Sequence, residues 1–401
     1  MVLRSSGVTF TILLGALAAI APLSVDMGLP AFPALELGLH ASAEGAALTL
    51  SVFLAGFSTA QLILGPLSDR IGRRPVLLGG LSLYAAAGVL CALAPSIEVL
   101  IALRLVQGLC AASGSVMALA VVRDLFSGAA ARTRFSYVAV VISLAPIVAP
   151  TLGGALLLVA GWRGIFWLLA AAGMVLMAAV LLLLPETRQV SAGRLSVARG
   201  FARVLRTRQS IGFAATNALS FGALFAYISG SPQVLMGALG ASPALFSLLF
   251  AINSAAILLG AWLNGRLAAR GVPSRLPVAA ALGLALVAAS VLVLQFVLGQ
   301  PSLLALMPGL AAHAFCRGIV APSATHAALE PMGEIAGLAS SVVGFLQMAT
   351  GAVSGAVLAL LFHRLGPAAM PAVMAAFAFA ALLAWRFADA PLPAAAAMRG
   401  E

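Results

Sequence analysis

Long apolar runs, separated by short breaks rich in glycine, proline or arginine, repeat along almost the whole chain. A helix needs roughly 20 apolar residues to cross the hydrocarbon of a bilayer, which is about 30 Å thick. We therefore expect an all-α protein that crosses a membrane many times. The pattern predicts twelve spans, at 8–30, 44–66, 75–95, 97–122, 137–159, 164–184, 210–231, 243–264, 276–298, 302–327, 338–361 and 367–388.

The composition excludes a soluble globular protein. Of the 401 residues 63% are hydrophobic and only 8% are charged, whereas about a quarter of a soluble protein is charged. The first apolar run follows Arg4 and imitates a signal peptide, with Ala41-Ser42-Ala43 as its cleavage site. This site lies too far beyond the end of the run, so we expect an uncleaved first helix. The three cysteines lie in apolar runs, and we expect them to be buried.

The arginines predict the topology. All 22 basic residues are Arg, and they stand between the apolar runs, which favours membrane topology over nucleic-acid binding. The loop between spans six and seven carries Arg188, Arg194, Arg199, Arg203, Arg206 and Arg208. The positive-inside rule makes this loop cytoplasmic. Alternation along the chain then puts eighteen arginines and both termini in the cytoplasm, with only Arg163 and Arg364 outside.

The spans divide into two similar sets of six. We predict an N-terminal six-helix bundle at 1–184, a basic cytoplasmic linker at 185–209, and a C-terminal six-helix bundle at 210–401. The stretch 65–70 after span two resembles the stretch 260–265 after span eight, with Gly65 matching Gly260 and Asp69 matching Asn264. Internal repeats of this kind are typical of transporters whose site lies between the halves near the membrane midplane.

The most specific motif is Gly65-Pro-Leu-Ser-Asp69-Arg70-Ile-Gly72-Arg73-Arg74. We expect Gly65 to permit close helix approach and Gly72 to allow a tight reversal. We expect Asp69 to accept hydrogen bonds from nearby arginines or from the next helix start. The motif resembles the loop signature of the major facilitator superfamily, G-x-L-x-D-R-x-G-R-[KR]. The resemblance implies a conformational latch made of Gly65, Asp69, Arg70, Gly72, Arg73, Arg74 and Asp124.

Two further motifs resemble patterns of the same superfamily. Arg104-Leu-Val-Gln107-Gly108 resembles its R-x-x-Q-G motif. Ala149-Pro150-Thr-Leu-Gly153-Gly154 resembles its G-P-x-x-G-G antiporter motif, although the first glycine is replaced by Ala149. With Pro146, these prolines and glycines suit a bent helix at the interface of the halves.

A narrower resemblance extends over nearly the whole chain. Asp26-Met-Gly-Leu-Pro30-Ala-Phe-Pro33, Val122-Arg123-Asp124-Leu-Phe and the segments 230–232, 328–333 and 336–340 resemble the Bcr/CflA branch of drug:proton antiporters. The resemblance implies the major facilitator fold, with twelve transmembrane helices in two pseudo-symmetric bundles. It also implies efflux of bicyclomycin- or chloramphenicol-type drugs across a bacterial inner membrane, driven by the proton gradient without a cofactor.

A proton antiporter needs a group that binds and releases a proton inside the membrane, where acids are rare. Of the eleven acids only Asp26 lies within a predicted span and away from its rim, which makes it the leading proton carrier. Arg104 lies at a similar depth in span four. We hypothesise that Asp26 and Arg104 form an ion pair or share a bridging water. The alternatives are a packing or vestibule role for Asp26 and a structural clamp role for Arg104.

We expect an apolar cavity with scattered polar groups, as neutral drugs require. Each polar candidate could instead be an interhelical hydrogen-bond partner. For Arg317 three roles stay open: binding backbone carbonyls, extending towards the cytoplasm, or attracting an anionic substrate. The candidates are Gln61, Gln107, Asn217, Tyr227, Asn253, His313, Arg317 and Gln347.

Other functions are weighed against drug export. A proton-coupled exporter of a metabolite, such as an amino acid, sugar or siderophore, fits the same architecture. A membrane enzyme is disfavoured because the four histidines lie on separate segments, without paired acids that could hold a metal. No nucleotide-binding loop is present, so ATP is not expected to drive transport. We expect a monomer whose partners are the drug, protons and the lipid bilayer.

Overall fold

A computed structural model describes residues 8–188, 197–299 and 301–389 of the chain. These residues form ten stretches of apolar helix, two of which are 51 and 53 residues long. At 1.5 Å per residue such a stretch would be more than twice as long as the hydrocarbon is thick. Each is broken by a glycine with a positive φ, Gly161 at 64° and Gly366 at 54°. Each therefore contains two spans, and the predicted twelve-helix architecture is confirmed.

The first half begins with a broken helix. The helical part of the first span ends at Asp26, a 3-10 turn follows at Leu29–Ala31, and a short helix completes the segment. Gly161 divides the last helix of this half into a first arm, 128–160, and a second arm, 162–183. The helices are α1 (Val8–Asp26), α2 (Phe32–Leu39), α3 (Ala43–Ile71), α4 (Arg73–Ala92), α5 (Ile97–Leu125) and α6 (Gly128–Leu183).

The second half repeats this arrangement after a short linker helix. A π-helical segment, Pro232–Ala238, follows the first span of this half, as the 3-10 turn follows α1. Two further 3-10 turns lie at Glu330–Ile335 and Gly366–Ala368. The helices are α7 (Val197–Arg206), α8 (Arg208–Ser231), α9 (Pro243–Ala269), α10 (Arg275–Val297), α11 (Leu303–Leu329), α12 (Ala336–Leu365) and α13 (Ala369–Asp389).

Serine caps show that the two halves are built alike. The side chains of Ser42 and Ser96 accept hydrogen bonds from the third residue of α3 and α5, and Ser242 and Ser302 do the same for α9 and α11. A serine in this position satisfies one of the free N–H groups at a helix start. The second and fourth spans of each half therefore begin with the same cap.

Glycine contacts define the correspondence between the halves more closely. Where α3 crosses α5, a side chain at Gly56 or Gly108 would strike the backbone of the opposite helix. Where α9 crosses α11, a side chain at Gly260 or Gly318 would do the same. Gly260 is therefore the counterpart of Gly56. The predicted match with Gly65 is wrong, because a side chain at Gly65 would meet nothing within 4 Å.

Hydrogen bonds join the halves at both ends of the bundle. Gln233 Nε2 donates to the carbonyl oxygen of Ala43 at 3.1 Å, and Ser247 Oγ donates to that of Pro150 at 3.0 Å. At the other end, where α3 meets α4 and α5 meets α6, Arg123 donates to Ser340 Oγ at 3.4 Å. We call this second end the arginine-rich end. It corresponds to the predicted cytoplasmic side.

The basic linker contains a helix that the sequence analysis placed in a loop. In α7, Phe201 and Val204 pack against Met332 and Val342 of the second half. Their spacing of three residues puts both apolar side chains on one face of the helix. Arg203 and Arg206 of this helix are exposed. Arg4, Arg194, Arg399 and Glu401 lie outside the described residues.

Candidate functional site

A cavity of about 360 Å³ lies between the halves. Helices α1, α3, α5 and α6 of the first half and α8, α9 and α12 of the second half contribute to its wall. Most of the lining side chains are apolar, and aromatic rings dominate on both sides. The rings belong to Phe53, Phe57, Phe221, Phe225, Tyr227 and Phe250.

Asp26 lies in the wall of this cavity as the last residue of α1 and is 4% exposed. Helix α1 ends here rather than near residue 30, because Pro30 and Pro33 cannot continue the hydrogen bonds of the helix. Among the acids whose burial the structure describes, Asp26 is the one that is buried. It is also the one charged side chain in the cavity wall.

Arg104 is buried beside α1, but it does not pair with Asp26. Its guanidinium donates to the carbonyl oxygen of Ser24 at 2.9 Å and to Gln107 Oε1 at 2.8 Å. It also lies over the ring of Phe53, 4.3 Å from the ring centre. Within the described chain no ion pair joins Asp26 to Arg104, so the predicted direct pair is wrong.

The reason lies in the end of α1. Carbonyl groups in the last turn of a helix have no partner inside the helix, and a cation is favoured there. The carbonyl of Ser24 lies in this last turn and takes the guanidinium of Arg104. The Ser24 hydroxyl is in turn 2.6 Å from the hydroxyl of Tyr84 on α4. Arg104 therefore fits the structural-clamp alternative, and it clamps the helix that carries Asp26.

Four of the eight polar candidates lie in the cavity wall, and four do not. Those in the wall are Gln61, Tyr227, Asn253 and Gln347. Asn253 Nδ2 donates to the Tyr227 hydroxyl at 3.0 Å, which fixes both side chains against the stacked ring of Phe250. The carbonyl oxygens of Gln61 and Asn253 are buried without a hydrogen-bond partner among the described residues.

The other four candidates are buried behind the wall, because each is engaged by its own half. Gln107 accepts from Arg104, and the ring of His313 lies 3.4 Å from the carbonyl oxygen of Ala285. Arg317 donates to Asn217 Oδ1 at 2.7 Å. The assignment of Gln107, Asn217, His313 and Arg317 to the substrate cavity is therefore wrong.

The aromatic lining is a feature that the sequence analysis missed. Phe53 and Phe57 are four residues apart on α3, and Phe221 and Phe225 are four residues apart on α8. Residues four apart share one helix face, so this spacing was a signal that could have identified the rings. It could not have shown that both faces point into one cavity.

The part of α6 that carries the antiporter motif lies at the interface of the halves. Pro150 has no N–H to donate to the carbonyl of Pro146, and this carbonyl lies 3.5 Å from Ser254 Oγ of the second half. Pro146 lines the cavity. A side chain at Gly153 would strike the carbonyl oxygen of Met27, and one at Gly154 would lie 3.3 Å from Ser247 Oγ.

At the arginine-rich end the structure brings the three central latch residues together. Arg73 pairs with Asp69 one turn earlier and, through Nε, with Asp124 of α5 at 2.9 Å. The motif lies mostly within α3 rather than in a loop, and Gly72, with φ at 106°, is the reversal before α4. Asn264, which the sequence analysis matched with Asp69, accepts from Ser323 Oγ at 3.1 Å.

Glu186 joins this group, a contact that the sequence analysis did not predict. Its carboxylate accepts from the backbone N–H groups of Arg73, Arg74 and Arg188 at 2.9, 3.2 and 2.8 Å. Burial raises the pKa of Glu186. These hydrogen bonds, together with one from the backbone N–H of Thr187, lower the pKa by more than burial raises it, so the pKa lies below its ordinary value. Glu186 therefore holds the start of α4 through these backbone N–H groups.

The remaining latch candidates have other contacts. The side chain of Arg74 donates to the carbonyl oxygen of Leu181, and the carbonyl oxygen of Arg70 accepts from Arg188. Gly65 makes no close helix contact, which corrects the role expected for it. As expected, the three cysteines are free and buried. No group of three His, Cys, Asp or Glu that could hold a metal occurs in the described ranges.

Comparison with protein families gives one match that covers most of the chain. The model of the Major Facilitator Superfamily matches residues 14–348. Among curated proteins, the uncharacterised MFS-type transporter YdgK of Bacillus subtilis is 36% identical over 347 residues, which are 85% of this chain and 86% of the relative.

Two other relatives carry names of drug resistance. The bicyclomycin resistance protein homolog of Haemophilus influenzae is 30% identical over 89% of this chain and 90% of its own length. The chloramphenicol resistance protein of Pseudomonas aeruginosa is 34% identical over 68% of this chain and 65% of its own length.

Solved structures share the fold at low sequence identity. A bacterial homologue of the lysosomal transporter Spinster, in an inward-facing and unoccupied conformation, has a TM-score of 0.73 at 15% identity, over 96% of this chain and 97% of its own. The D-xylose-proton symporter has a TM-score of 0.72 at 16% identity, over 95% of this chain and 98% of its own.

Proposed function

Since this chain belongs to the Major Facilitator Superfamily, we propose that it exports small drugs from the bacterial cytoplasm in exchange for protons. The names of the relatives from Haemophilus influenzae and Pseudomonas aeruginosa support drugs of the bicyclomycin and chloramphenicol type. The chain then lies in the inner membrane with both termini in the cytoplasm, acts as a monomer, and uses the proton gradient without a cofactor.

One observation carries the proposal: among the described residues one acid, Asp26, is buried, and it lies in the wall of a mostly apolar cavity between the two halves. An ionised carboxylate is costly in such surroundings. A proton neutralises it when the cavity holds no drug, and drug binding competes with that proton. Alternating exposure of the cavity then exchanges drug for proton across the membrane.

The lining also supports drugs over polar metabolites. Binding a sugar or an amino acid requires several polar contacts, because each desolvated polar group of the substrate must regain a hydrogen bond. The wall offers Asp26 and the polar groups of a few amide and hydroxyl side chains among many aromatic rings. Arg317, which could have attracted an anion, lies behind the wall in a hydrogen bond to Asn217.

The test compares wild type with Asp26→Asn in a bacterial host that lacks its own efflux pumps. We expect the wild type to raise resistance to at least one of chloramphenicol, bicyclomycin and a sulfonamide. Asp26→Asn should abolish this resistance, and purified Asp26→Asn should bind the same drug without releasing a proton. Glu36→Gln, which changes an acid that lies outside the cavity wall, is the matched control and should keep both properties.

Two outcomes would contradict the proposal. Full drug-driven proton release by Asp26→Asn would exclude Asp26 as the proton carrier. Unchanged resistance to every compound, together with proton-driven uptake of an amino acid or sugar into inverted vesicles, would favour a metabolite exporter.

A further inference from the structure

Three polar side chains form a chain from the interior of the second half to the cavity. Arg317 of α11 donates to Asn217 Oδ1 of α8 at 2.7 Å. Asn217 Nδ2 donates to Gln347 Oε1 of α12 at 2.9 Å. Arg317 and Asn217 are 6% and 0% exposed, whereas Gln347 reaches the cavity wall. The chain thus connects a buried cation to the place where the substrate is proposed to bind.

The chemistry of these groups fixes the direction of both amides. A guanidinium has only N–H donors, so the Asn217 atom that faces Arg317 must be the carbonyl oxygen. The amide nitrogen of Asn217 then faces Gln347, whose nearest atom must in turn be its carbonyl oxygen. Neither amide can be reversed without placing donor against donor. Arg317 therefore determines which atom of the Gln347 amide is not used in the hydrogen bond with Asn217.

The end that is left over is the amide nitrogen. Among the described residues, Gln347 Nε2 has no hydrogen-bond partner, and it is not one of the buried polar atoms that lack a partner. It is therefore accessible from the cavity. Phe221 is also part of the wall, and the guanidinium of Arg317 lies 5.6 Å from the centre of its ring.

We propose that Gln347 is a donor subsite that binds an oxygen acceptor of the substrate, and that Asn217 and Arg317 are its positioning residues. This inference rests on the proposed function, since it takes the cavity to be the drug site. Successive hydrogen bonds polarise one another, so the charge of Arg317 strengthens the donor at the end of the chain. The subsite selects apolar compounds that carry a carbonyl, sulfonyl or nitro oxygen.

The test uses benzophenone and diphenylmethane, which differ in a carbonyl oxygen in place of two hydrogens. Their dissociation constants are measured by calorimetry on the purified full chain in detergent, with detergent alone subtracted. We expect the wild type to bind benzophenone about fivefold more tightly, in keeping with one neutral hydrogen bond. Gln347→Leu should reduce this ratio to about one. Gln209→Leu, which makes the same change at an amide of α8 outside the cavity wall, should leave it unchanged.

The variant Asn217→Asp tests whether the orientation of the Gln347 amide matters, because it leaves Gln347 itself in place. Aspartate still accepts from Arg317 and preserves the buried pair, but it has no N–H for Gln347. The carbonyl preference should therefore fall in Asn217→Asp even though Gln347 is intact. A structural role alone would change the binding of both compounds equally and leave their ratio in place.

The outcomes distinguish this subsite from the export function. A wild type without carbonyl preference, or an Asn217→Asp variant with the full preference, would overturn the inference. If the preference is present and depends on Gln347, but the resistance assay detects no export of any drug, the subsite stands and the proposed export function fails.

Discussion

The main chain of Gly153 lies directly against the carbonyl oxygen of Met27, the residue that follows Asp26. Helix α6 can approach the end of α1 this closely only because position 153 has no β-carbon. On its other side the same segment of α6 contacts Ser247 of the second half. The position of Asp26 is therefore tied to a helix that lies at the interface between the halves.

Gly153→Ala should displace the end of α1 and impair transport. The added methyl group overlaps backbone, which cannot move aside as a flexible side chain can. Overpacking of this kind costs about 1–3 kcal/mol. We expect a lower thermal unfolding temperature in detergent and a loss of drug-driven proton release.

Two other glycines are graded controls for this substitution. A β-carbon at Gly154 would lie 3.3 Å from the hydroxyl of Ser247, so Gly154→Ala should have a smaller effect. A β-carbon at Gly79, within α4, would meet nothing within 4 Å, so Gly79→Ala should be neutral or slightly stabilising. Equal losses in all three variants would contradict the importance of the contact with Met27.

Arg104→Lys should weaken the clamp on α1 although it preserves the charge. A lysine ammonium is a single point donor and cannot reproduce the fork that reaches both the Ser24 carbonyl and Gln107. Losing one charged hydrogen bond costs about 1.5–3 kcal/mol. We expect a lower unfolding temperature and slower drug export, measured in proteoliposomes.

Arg163→Lys is the matched control for this change. Arg163 lies at the end away from the arginine-rich end, over the ring of Trp162, and its hydrogen bond to the carbonyl of Ala94 is long, at 3.4 Å. Its replacement should change the unfolding temperature little. Export by Arg104→Lys at the rate of the wild type would argue against the clamp.

Asp124→Asn should shift the balance between the conformations of the transporter without changing the drug site. Arg73 joins the turn between α3 and α4 to α5 through this carboxylate, and neither residue lines the cavity. We expect a shift on the order of 1 kcal/mol in the conformational equilibrium. Spin labels on the arginine-rich ends of the two halves, with distances measured by pulsed electron resonance, would report it.

Arg70→Gln provides the comparison for the latch. The side chain of Arg70 is exposed in the same turn, and its contact with Arg188 uses its backbone carbonyl, which the substitution retains. This variant should keep the distance distribution of the wild type. A double variant of Arg73 and Asp124 should shift the distribution by less than the sum of the single variants.

Glu186→Gln should lower stability at neutral pH and make stability less dependent on acid pH. The folded-state pKa of Glu186 is below its ordinary value of 4.5, so its carboxylate stabilises the fold fully above pH 4.5 and loses this effect as the pH falls below it. A carboxylate at a helix start contributes about 0.3–1 kcal/mol. Unfolding temperatures between pH 7 and about pH 3 would measure the difference.

The difference between wild type and Glu186→Gln should be largest at pH 7 and shrink towards acid pH. The variant Glu98→Gln tests whether an acid within the first turn of its own helix gives the same dependence on pH as Glu186, which contacts the start of α4 from outside that helix. Glu98 lies near the start of α5 and accepts from no residue of another helix in the described contacts. A constant difference at every pH would show that the charge of Glu186 does not hold the start of α4.

Much of the fold was predictable because membrane spans are a local property of the chain. Twenty apolar residues must form a helix that satisfies its own backbone in lipid, whatever surrounds it. The number of spans, the buried cysteines and the reversal at Gly72 could therefore be predicted. The burial of Asp26 followed from the same rule, because an acid within an apolar run has nowhere else to lie.

Contacts between helices could not be predicted in this way. The positions of Arg104 and Asp26 within their predicted spans indicate a similar depth in the membrane. They do not show that the free carbonyl of Ser24 accepts a hydrogen bond from Arg104. Likewise, half of the predicted cavity residues are in the cavity wall and half are behind it. Successive side chains on a helix point in directions about 100° apart, so which of them face the cavity depends on how the helix is rotated about its axis, and packing against other helices sets that rotation.

The sequence by itself determined how often the chain crosses the membrane and which single acid is buried there. Both follow from the free energy of transferring backbone and charge into hydrocarbon, which each segment meets alone. Only the tertiary structure decided what that acid faces, what Arg104 holds, and that Arg317 directs the amide of Gln347. These depend on side chains from different helices meeting within hydrogen-bond distance, which no single segment specifies.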